Sequence, residues 1–427
     1  MTRTQLAILF FLQFAFILAF IRLVGYMVKQ IGQPQVIGEM IAGVLMGPSL
    51  FGYLFPEWQT LLFPKESVTI LYVVSQLGLT LYMFVIGAEF DIDLIRSRRR
   101  HAALVSITGI VAPFFLGALL AVFLIDDSRL FSEEISVYEA ALFIGSAMAV
   151  TALPMMARIL YERGLTKTSM GTLCLAASSI DDAAAWCLLA IVVASFGGEG
   201  SLAVLAIGGG IVYGVFVLYV LGPLIKRYMA PMVERAGEMS PGIFTFIMGL
   251  LMLCAWYTDY IGIYSVFGAF ILGIAMPRGT VTSELIKKVH PLASTILLPL
   301  FFIYSGLNTR FDLVFEPSIL GIAVLVLLAA CLGKGVACWG AARLSGEGNR
   351  ASLAIAALMN ARGLMELILL NIGLEHGLVT PVMFTIMVMM TLVTTLMVAP
   401  VFELVMRRMP AVLPTSTERS AGLETVG

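Results

Sequence analysis

Residues 170–196 read MGTLCLAASSIDDAAAWCLLAIVVASF, with two charges, Asp181 and Asp182, side by side halfway along. A continuous apolar run of this length matches the roughly 20 residues that a helix needs to cross a hydrocarbon core of about 30 Å. A charge at the bilayer centre costs about 2.5–3.5 kcal/mol on insertion scales, so each carboxylate requires a reason. A single buried Asp is explained by a helix–helix hydrogen bond; a central pair is not. Neighbours on a helix point about 100° apart, so the two cannot share one environment. One can face a water-filled cavity while the other faces a neighbouring helix. Like charges so close also oppose double ionisation, which lets a proton and a cation compete for the site.

The rest of the chain has the same character. Of 427 residues, 60% are apolar and 12% charged, and the mean hydropathy is +0.98. Soluble globular proteins carry about twice that charged fraction. A soluble enzyme, a disordered chain and a nucleic-acid binder are excluded. Five cysteines (Cys174, Cys187, Cys254, Cys331, Cys338) lie in apolar runs without metal-ligand spacing. They read as small buried hydrophobes rather than a disulfide framework.

Thirteen candidate spans centre on 6–28, 34–50, 68–89, 102–124, 138–160, 170–196, 201–221, 242–258, 261–277, 292–308, 318–340, 351–373 and 380–402, the second and ninth being short and glycine-rich. A membrane β-barrel is excluded, because its strands alternate polar and apolar residues. The first span is long, carries Arg22 and lacks a cleavage site, so it reads as retained rather than as a signal peptide. Loops after odd-numbered spans and the tail hold 19 of the 26 basic residues, among them Lys29, Arg96, Arg98, Arg99, Arg100, Lys167, Lys226, Arg227, Arg343, Arg407, Arg408 and Arg419. The other side has four (Arg3, Lys65, Arg129, Arg310), with acidic stretches at Asp126, Asp127, Glu133 and Glu134. The asymmetry places the N-terminus outside and the C-terminus in the cytoplasm.

The chain also repeats itself. Gly38-x4-Gly43-x4-Pro48 is echoed by Gly268-x4-Gly273-x3-Pro277, and Gly87-Ala88-Glu89-Phe90-Asp91 by the stretch from Gly306 to Asp312. Thr151-Ala152-Leu153-Pro154 interrupts the fifth span and Asn360-Ala361-Arg362-Gly363 the twelfth. Each pair lies seven spans apart, an odd number, so the matched segments cross the membrane in opposite directions. Such inverted repeats, with binding sites formed by discontinuous helices, are typical of transporters. Pro154 lacks an N–H and frees carbonyls near residues 150–151. Irregular backbone at membrane depth is tolerated where it is buried in protein or lines a cavity. Two matching breaks therefore point to a binding site near the midplane.

Other buried charges need partners. Lys334, the one ionisable residue of the eleventh span, lies too deep to snorkel and calls for an ion pair with one Asp of the sixth, either structural or active in transport. Arg362 and Glu366 stand at i and i+4 and neutralise each other. Glu39 reads as a helix-packing residue, and Ser178 as an accessory polar group beside the Asp pair. His101, His290 and His376 fall at loops, so no histidine metal site is indicated. Gly208-Gly209-Gly210 lies inside an apolar span without a following Lys-Ser/Thr and reads as close packing.

The strings Gly38-Glu39-Met40-Ile41-Ala42-Gly43-Val44-Leu45-Met46-Gly47-Pro48, Ser179-Ile180-Asp181-Asp182, Lys334 and Met359-Asn360-Ala361-Arg362-Gly363-Leu364-Met365-Glu366-Leu367 resemble the monovalent cation:proton antiporter-2 family. That family includes bacterial sodium/proton antiporters, potassium efflux antiporters and plant cation/proton exchangers. The resemblance runs from about residue 5 to 405. It implies an all-α polytopic membrane protein of about 13 transmembrane helices, with inverted repeats and two discontinuous crossing helices. Residues 1–408 would form one exchanger domain, with a dimer subdomain (1–95 and 240–312), a core subdomain (100–198 and 316–405) and a linker helix (200–222). Residues 409–427 would form a short cytoplasmic tail. By motif, Asp182 would be the main cation and proton ligand and Asp181 would pair with Lys334. Thr151 and Asn360 would neutralise or cap the crossing helix ends. Asp at position 181 resembles the electrogenic sodium/proton members more than the potassium efflux members. The chain runs 19 residues beyond Arg408 without a G-x-G-x-x-G motif, so nucleotide or glutathione gating within this polypeptide is not expected.

The resulting expectation is a transporter, not an enzyme, that exchanges Na+ (favoured over K+) for protons by alternating access in a bacterial-type inner (plasma) membrane. It would need no cofactor beyond the transported Na+ or K+ and H+, held by Asp182 and Asp181. Its partners would be membrane lipid and a second copy of itself, without nucleic acid, and the resemblance leaves room for a separate regulatory subunit. Three rivals stand beside it. A sodium-coupled organic-anion symporter of the same fold would ignore a pH gradient. An intramembrane aspartyl protease needs carboxylates converging from separate helices, whereas adjacent residues diverge. A channel would pass ions far faster than a carrier.

Overall fold

The computed structural model describes residues 2–90, 99–132, 135–163, 165, 168–195 and 200–406. Arg96, Arg98, Lys167, Arg407, Arg408, Arg419, Glu133, Glu134, Asp91 and the tail 409–427 lie outside the described residues. The helices of ten or more residues are α1 (Arg3–Gln30), α2 (Gln35–Met46), α3 (Lys65–Glu89), α4 (Arg99–Leu124), α5 (Val137–Ala149), α6 (Leu153–Glu162), α7 (Ser169–Ser195) and α8 (Gly200–Phe216). They continue as α9 (Pro241–Tyr260), α10 (Ser265–Ile274), α11 (Thr280–Leu292), α12 (Leu298–Leu307), α13 (Pro317–Leu344), α14 (Asn349–Met359), α15 (Leu364–Glu375) and α16 (Pro381–Met406). No strand occurs among the described residues, and the one β-bridge joins Phe131 to Val379.

Helix starts follow local chemistry. Thr2 and Ser136 close capping boxes with Gln5 and Glu139, satisfying N–H groups that a helix start leaves free. Ser240 caps α9 ahead of Pro241. Among the described residues, eleven helical segments are long and apolar enough to cross a membrane. The fifth and ninth expected spans are not among them: they correspond to the shorter apolar helices Val137–Ala149 and Ser265–Ile274. The fifth falls short because its helix stops at Ala149, with Val150 extended, and restarts at Leu153. The seventh is longer than expected, its apolar segment running over Gly208–Ala236 through a π-helical turn at Val217–Leu221.

The helices pack as two sets. In one, α2 lies against α1 and α12, while α3 lies against α10 and α12. In the other, α4 packs on α5, α7 and α13, and α14 and α15 pack on α16. Within the first set the glycines of the repeat are contact points. A Cβ on Gly43 would collide with the Phe302 carbonyl, and one on Gly306 with Gly43. Likewise Gly273 and Gly87 meet across α10 and α3. The early element of one repeat thus packs on the later element of the other, in both directions. Small residues let helix backbones approach closely in a medium where lipid is as apolar as leucine.

Some sequence expectations need correction. Cys187 is exposed, not buried, because it falls on the outer stripe of α7. His101 sits in the first turn of α4 and His290 in the last turn of α11, so only His376, which follows α15, lies outside the helices. A Val side chain at Gly43 should cost about 1–3 kcal/mol by overpacking. It should lower the unfolding midpoint in detergent. Gly249→Val, where an added Cβ meets nothing within 4 Å, should leave that midpoint unchanged.

Candidate ion-binding site

Both helix breaks lie in the second set of helices, and they touch. α5 ends at Ala149 and α14 at Met359, and the Ala152 N–H donates to the Ala361 carbonyl (2.9 Å) where the unwound segments cross. A helix end leaves its last carbonyls without intrahelical partners, and those of α5 belong to buried residues, so they must be satisfied within the protein. Two buried cations take that role on α5. Lys334 Nζ donates to the Ala149 carbonyl (2.5 Å), and the Arg362 guanidinium to those of Ala147 (3.1 Å) and Met148 (2.8 Å). The negative end of the α5 dipole thus meets two positive charges.

Each cation also has a carboxylate. Lys334 Nζ lies 3.6 Å from Asp181 Oδ2, and Arg362 lies 3.4 Å from Glu366 Oε1, one turn on. All four side chains are buried. Desolvating such charges costs several kcal/mol per ion, offset only where geometry and further hydrogen bonds are good. Asp181 meets that condition. Its Oδ1 accepts the Ser106 hydroxyl and its Oδ2 the Thr151 hydroxyl, both at 2.5 Å. Glu366 falls in the first turn of α15, where a helix N-terminus favours a negative charge.

Asp182 is placed differently. It is only 2% exposed, yet its Oδ1 has no hydrogen-bond partner. The Leu153 backbone N–H, the first of α6, bonds its carboxylate. Among the described residues no Lys or Arg forms an ion pair with it. Asp181 is thus matched to Lys334 and Glu366 to Arg362, whereas Asp182 has no such cationic partner among the described residues. It lies beside the crossing, at the positive end of a half-helix.

The remaining expected residues are spread around this cluster. Thr151 donates to Asp181 rather than capping a helix end. Asn360 donates to the Ala356 carbonyl (3.0 Å) on its own helix, while its Oδ1 is buried and unpartnered. Asn360 also lines an apolar cavity of about 340 Å³ with Cys331, Gly335, Trp339 and Thr394. Ser178 points back to the Leu175 carbonyl (3.4 Å). Glu39 is buried on α2 in the other set, where Gln35 donates to it (3.0 Å). Ser106 was not singled out by the sequence: one serine in an apolar span gives no signal until α4 and α7 are packed together. The reach of Arg362 to α5, more than two hundred residues away, is equally silent.

This arrangement has known relatives. Residues 15–405 match the family described as "Sodium/hydrogen exchanger, transmembrane". The chain belongs to the sodium/hydrogen exchanger family. Among its relatives, the Na(+)/H(+) antiporter NhaS4 of Synechocystis sp. is 40% identical over 391 residues, covering 90% of this chain and 94% of that protein. The Cation/H(+) antiporter 19 of Arabidopsis thaliana is 35% identical over 403 residues, but this chain spans only 49% of its length. In fold, the exchanger is similar to the sodium proton antiporter MjNhaP1 of Methanocaldococcus jannaschii, with a TM-score of 0.64, 14% identity, and 94% and 97% of the two chains covered. It is a multi-pass membrane protein and a transporter, and neither the protease nor the organic-anion symporter reading finds support in these relatives.

Lys334→Met should destabilise the exchanger by about 3–5 kcal/mol, because it strands a buried carboxylate. Adding Asp181→Asn should restore most of the loss. Thermal unfolding of the two single variants and the double variant in detergent checks this coupling. Additive losses would show that the pair is not a unit.

Proposed function

We propose that the protein exchanges a monovalent cation for protons by alternating access, and that cation and proton compete for Asp182. The observation that carries this reading is the contrast between two adjacent buried carboxylates. Asp181 is saturated by Ser106, Thr151 and Lys334, while Asp182 keeps an oxygen free. A bare carboxylate is costly inside a membrane. It crosses readily only when neutralised, by a proton in one direction and a cation in the other. That restriction couples the two fluxes without any further device.

Na+ is the favoured cargo over K+, supported by the near full-length match to a protein named as a sodium/proton antiporter. Exchange at Asp182 alone moves one charge each way and no net charge. An electrogenic cycle needs a second titrating group, and the Asp181–Lys334 pair stands next to it. A membrane potential of about 100 mV is worth about 2.3 kcal/mol per net charge moved. One pH unit adds about 1.36 kcal/mol per proton. Either gradient is large enough to drive cation export.

In the same reading, the set containing α2, α3, α10 and α12 is the scaffold through which two copies associate. The set containing α4, α5, α7 and α13–α16 moves against it. The protein sits in the plasma membrane with its basic loops in the cytoplasm, consistent with the 19-to-4 distribution of Lys and Arg.

Proteoliposomes loaded at several pH values and given Na+, Li+ or K+ side by side test the proposal. The wild-type protein should release protons from the lumen on addition of at least one of these cations. Asp182→Asn should abolish this flux while retaining the unfolding midpoint in detergent. Undiminished flux through Asp182→Asn would overturn the assignment.

A further inference from the structure

Far from the Asp pair, at the face opposite the basic loops, the two sets of helices meet again through side chains that the transport site does not use. Glu375 ends α15, the second half of the interrupted helix, and His376 follows it. Three tyrosines reach these residues from the other set. Tyr72 on α3 and Tyr304 on α12 hold their hydroxyls 3.4 Å and 3.3 Å from the two Glu375 oxygens, with their rings 5.0 Å apart. The Tyr264 hydroxyl lies 2.9 Å from His376 Nε2. Tyr72, Tyr264, Glu375 and His376 line a cavity of about 470 Å³ together with Gln76, Asp259 and Ser265.

Tyr264 is held there against its backbone preference. Its φ of 77° makes it the only residue other than glycine with positive φ among the described residues. Such a conformation in a bulky residue persists only where its surroundings over-determine it. Here Asp259 accepts the next backbone N–H, that of Ser265, and Gly262 supplies the preceding turn with a φ of 83°. The seam continues one turn inward from Glu375 on α15, to the residue beside Tyr304 on α12. Asn371 Nδ2, four residues before Glu375, donates to Ser305 Oγ (3.1 Å), next to Tyr304. Both are buried.

We infer that Tyr72, Tyr304 and Tyr264, gripping Glu375 and His376, form a latch between the two sets of helices that keeps the face opposite the basic loops closed. All three tyrosines stand on one set and both of their partners on the end of one half-helix of the other. Any displacement of α15 relative to α3 and α12 must therefore break these bonds together. The latch sets the balance between a state closed at this face and one open to it. This inference rests on the alternating-access reading, but its test does not depend on ion flux.

Ser305, buried behind the latch, is the reporter position. In a background with the native cysteines replaced, Ser305→Cys is exposed to a membrane-impermeant thiosulfonate reagent from the face opposite the basic loops. With the latch intact, labelling should be slow. A net hydrogen bond shifts an equilibrium by a few-fold to about tenfold. Tyr264→Phe should therefore speed labelling about fivefold, and Tyr72→Phe with Tyr304→Phe more than either tyrosine alone, at an unchanged unfolding midpoint. Glu375→Leu, which removes both acceptors at once, is the independent check and should also accelerate labelling. Unchanged or slower labelling in all of these variants would overturn the latch. Loss of cation-driven proton flux in the wild-type protein would instead overturn the transport reading and leave the labelling result standing.

Discussion

Three carbonyls at the end of a helix that stops inside the membrane set the terms for the rest of this molecule. Ala147, Met148 and Ala149 are buried, and backbone groups in that position must be bonded within the protein. The answer is two buried cations, Lys334 from α13 and Arg362 from the other break. Buried cations in turn require carboxylates, which Asp181 and Glu366 supply. The polar interior is thus a chain of obligations that begins with an interruption in one helix. Asp182 is where the chain ends with an oxygen to spare.

The set containing α2, α3, α10 and α12 follows a different rule. Charges are few there, and the helices are joined by glycines whose missing side chains let backbones touch. Gly43 meets Gly306, and Gly273 meets Gly87. Early and late elements of the two sequence echoes are exchanged between partners, as expected if two oppositely oriented halves clasp one another. The two sets of helices therefore differ in kind: one is joined by close glycine contacts, and the other is organised around buried ion pairs.

The sequence disclosed the class of fold and the chemistry of the site more readily than the geometry between them. Asp181, Asp182 and Lys334 stand out because ionisable residues are conspicuous in apolar runs, and the i,i+4 spacing of Arg362 and Glu366 makes their pairing visible. The breaks were legible from Pro154 and from Asn360-Ala361-Arg362-Gly363. What stayed hidden depends on which helices pack together. Ser106 is one hydroxyl among many. Thr151 seemed placed to cap a helix end but donates to Asp181, because the carbonyls it would have served are taken by longer side chains. The fifth and ninth spans came out shorter than an apolar count suggests. Hydropathy measures composition, and composition does not register that a helix has ended.

The bond between the Ala152 amide and the Ala361 carbonyl gives the crossing an unusual evolutionary property. It is made by main-chain atoms, so no substitution short of proline at 152 deletes it. The junction can keep its shape while the side chains around it are exchanged. Side chains around the site can therefore be exchanged without rebuilding the junction that holds the two half-helices together.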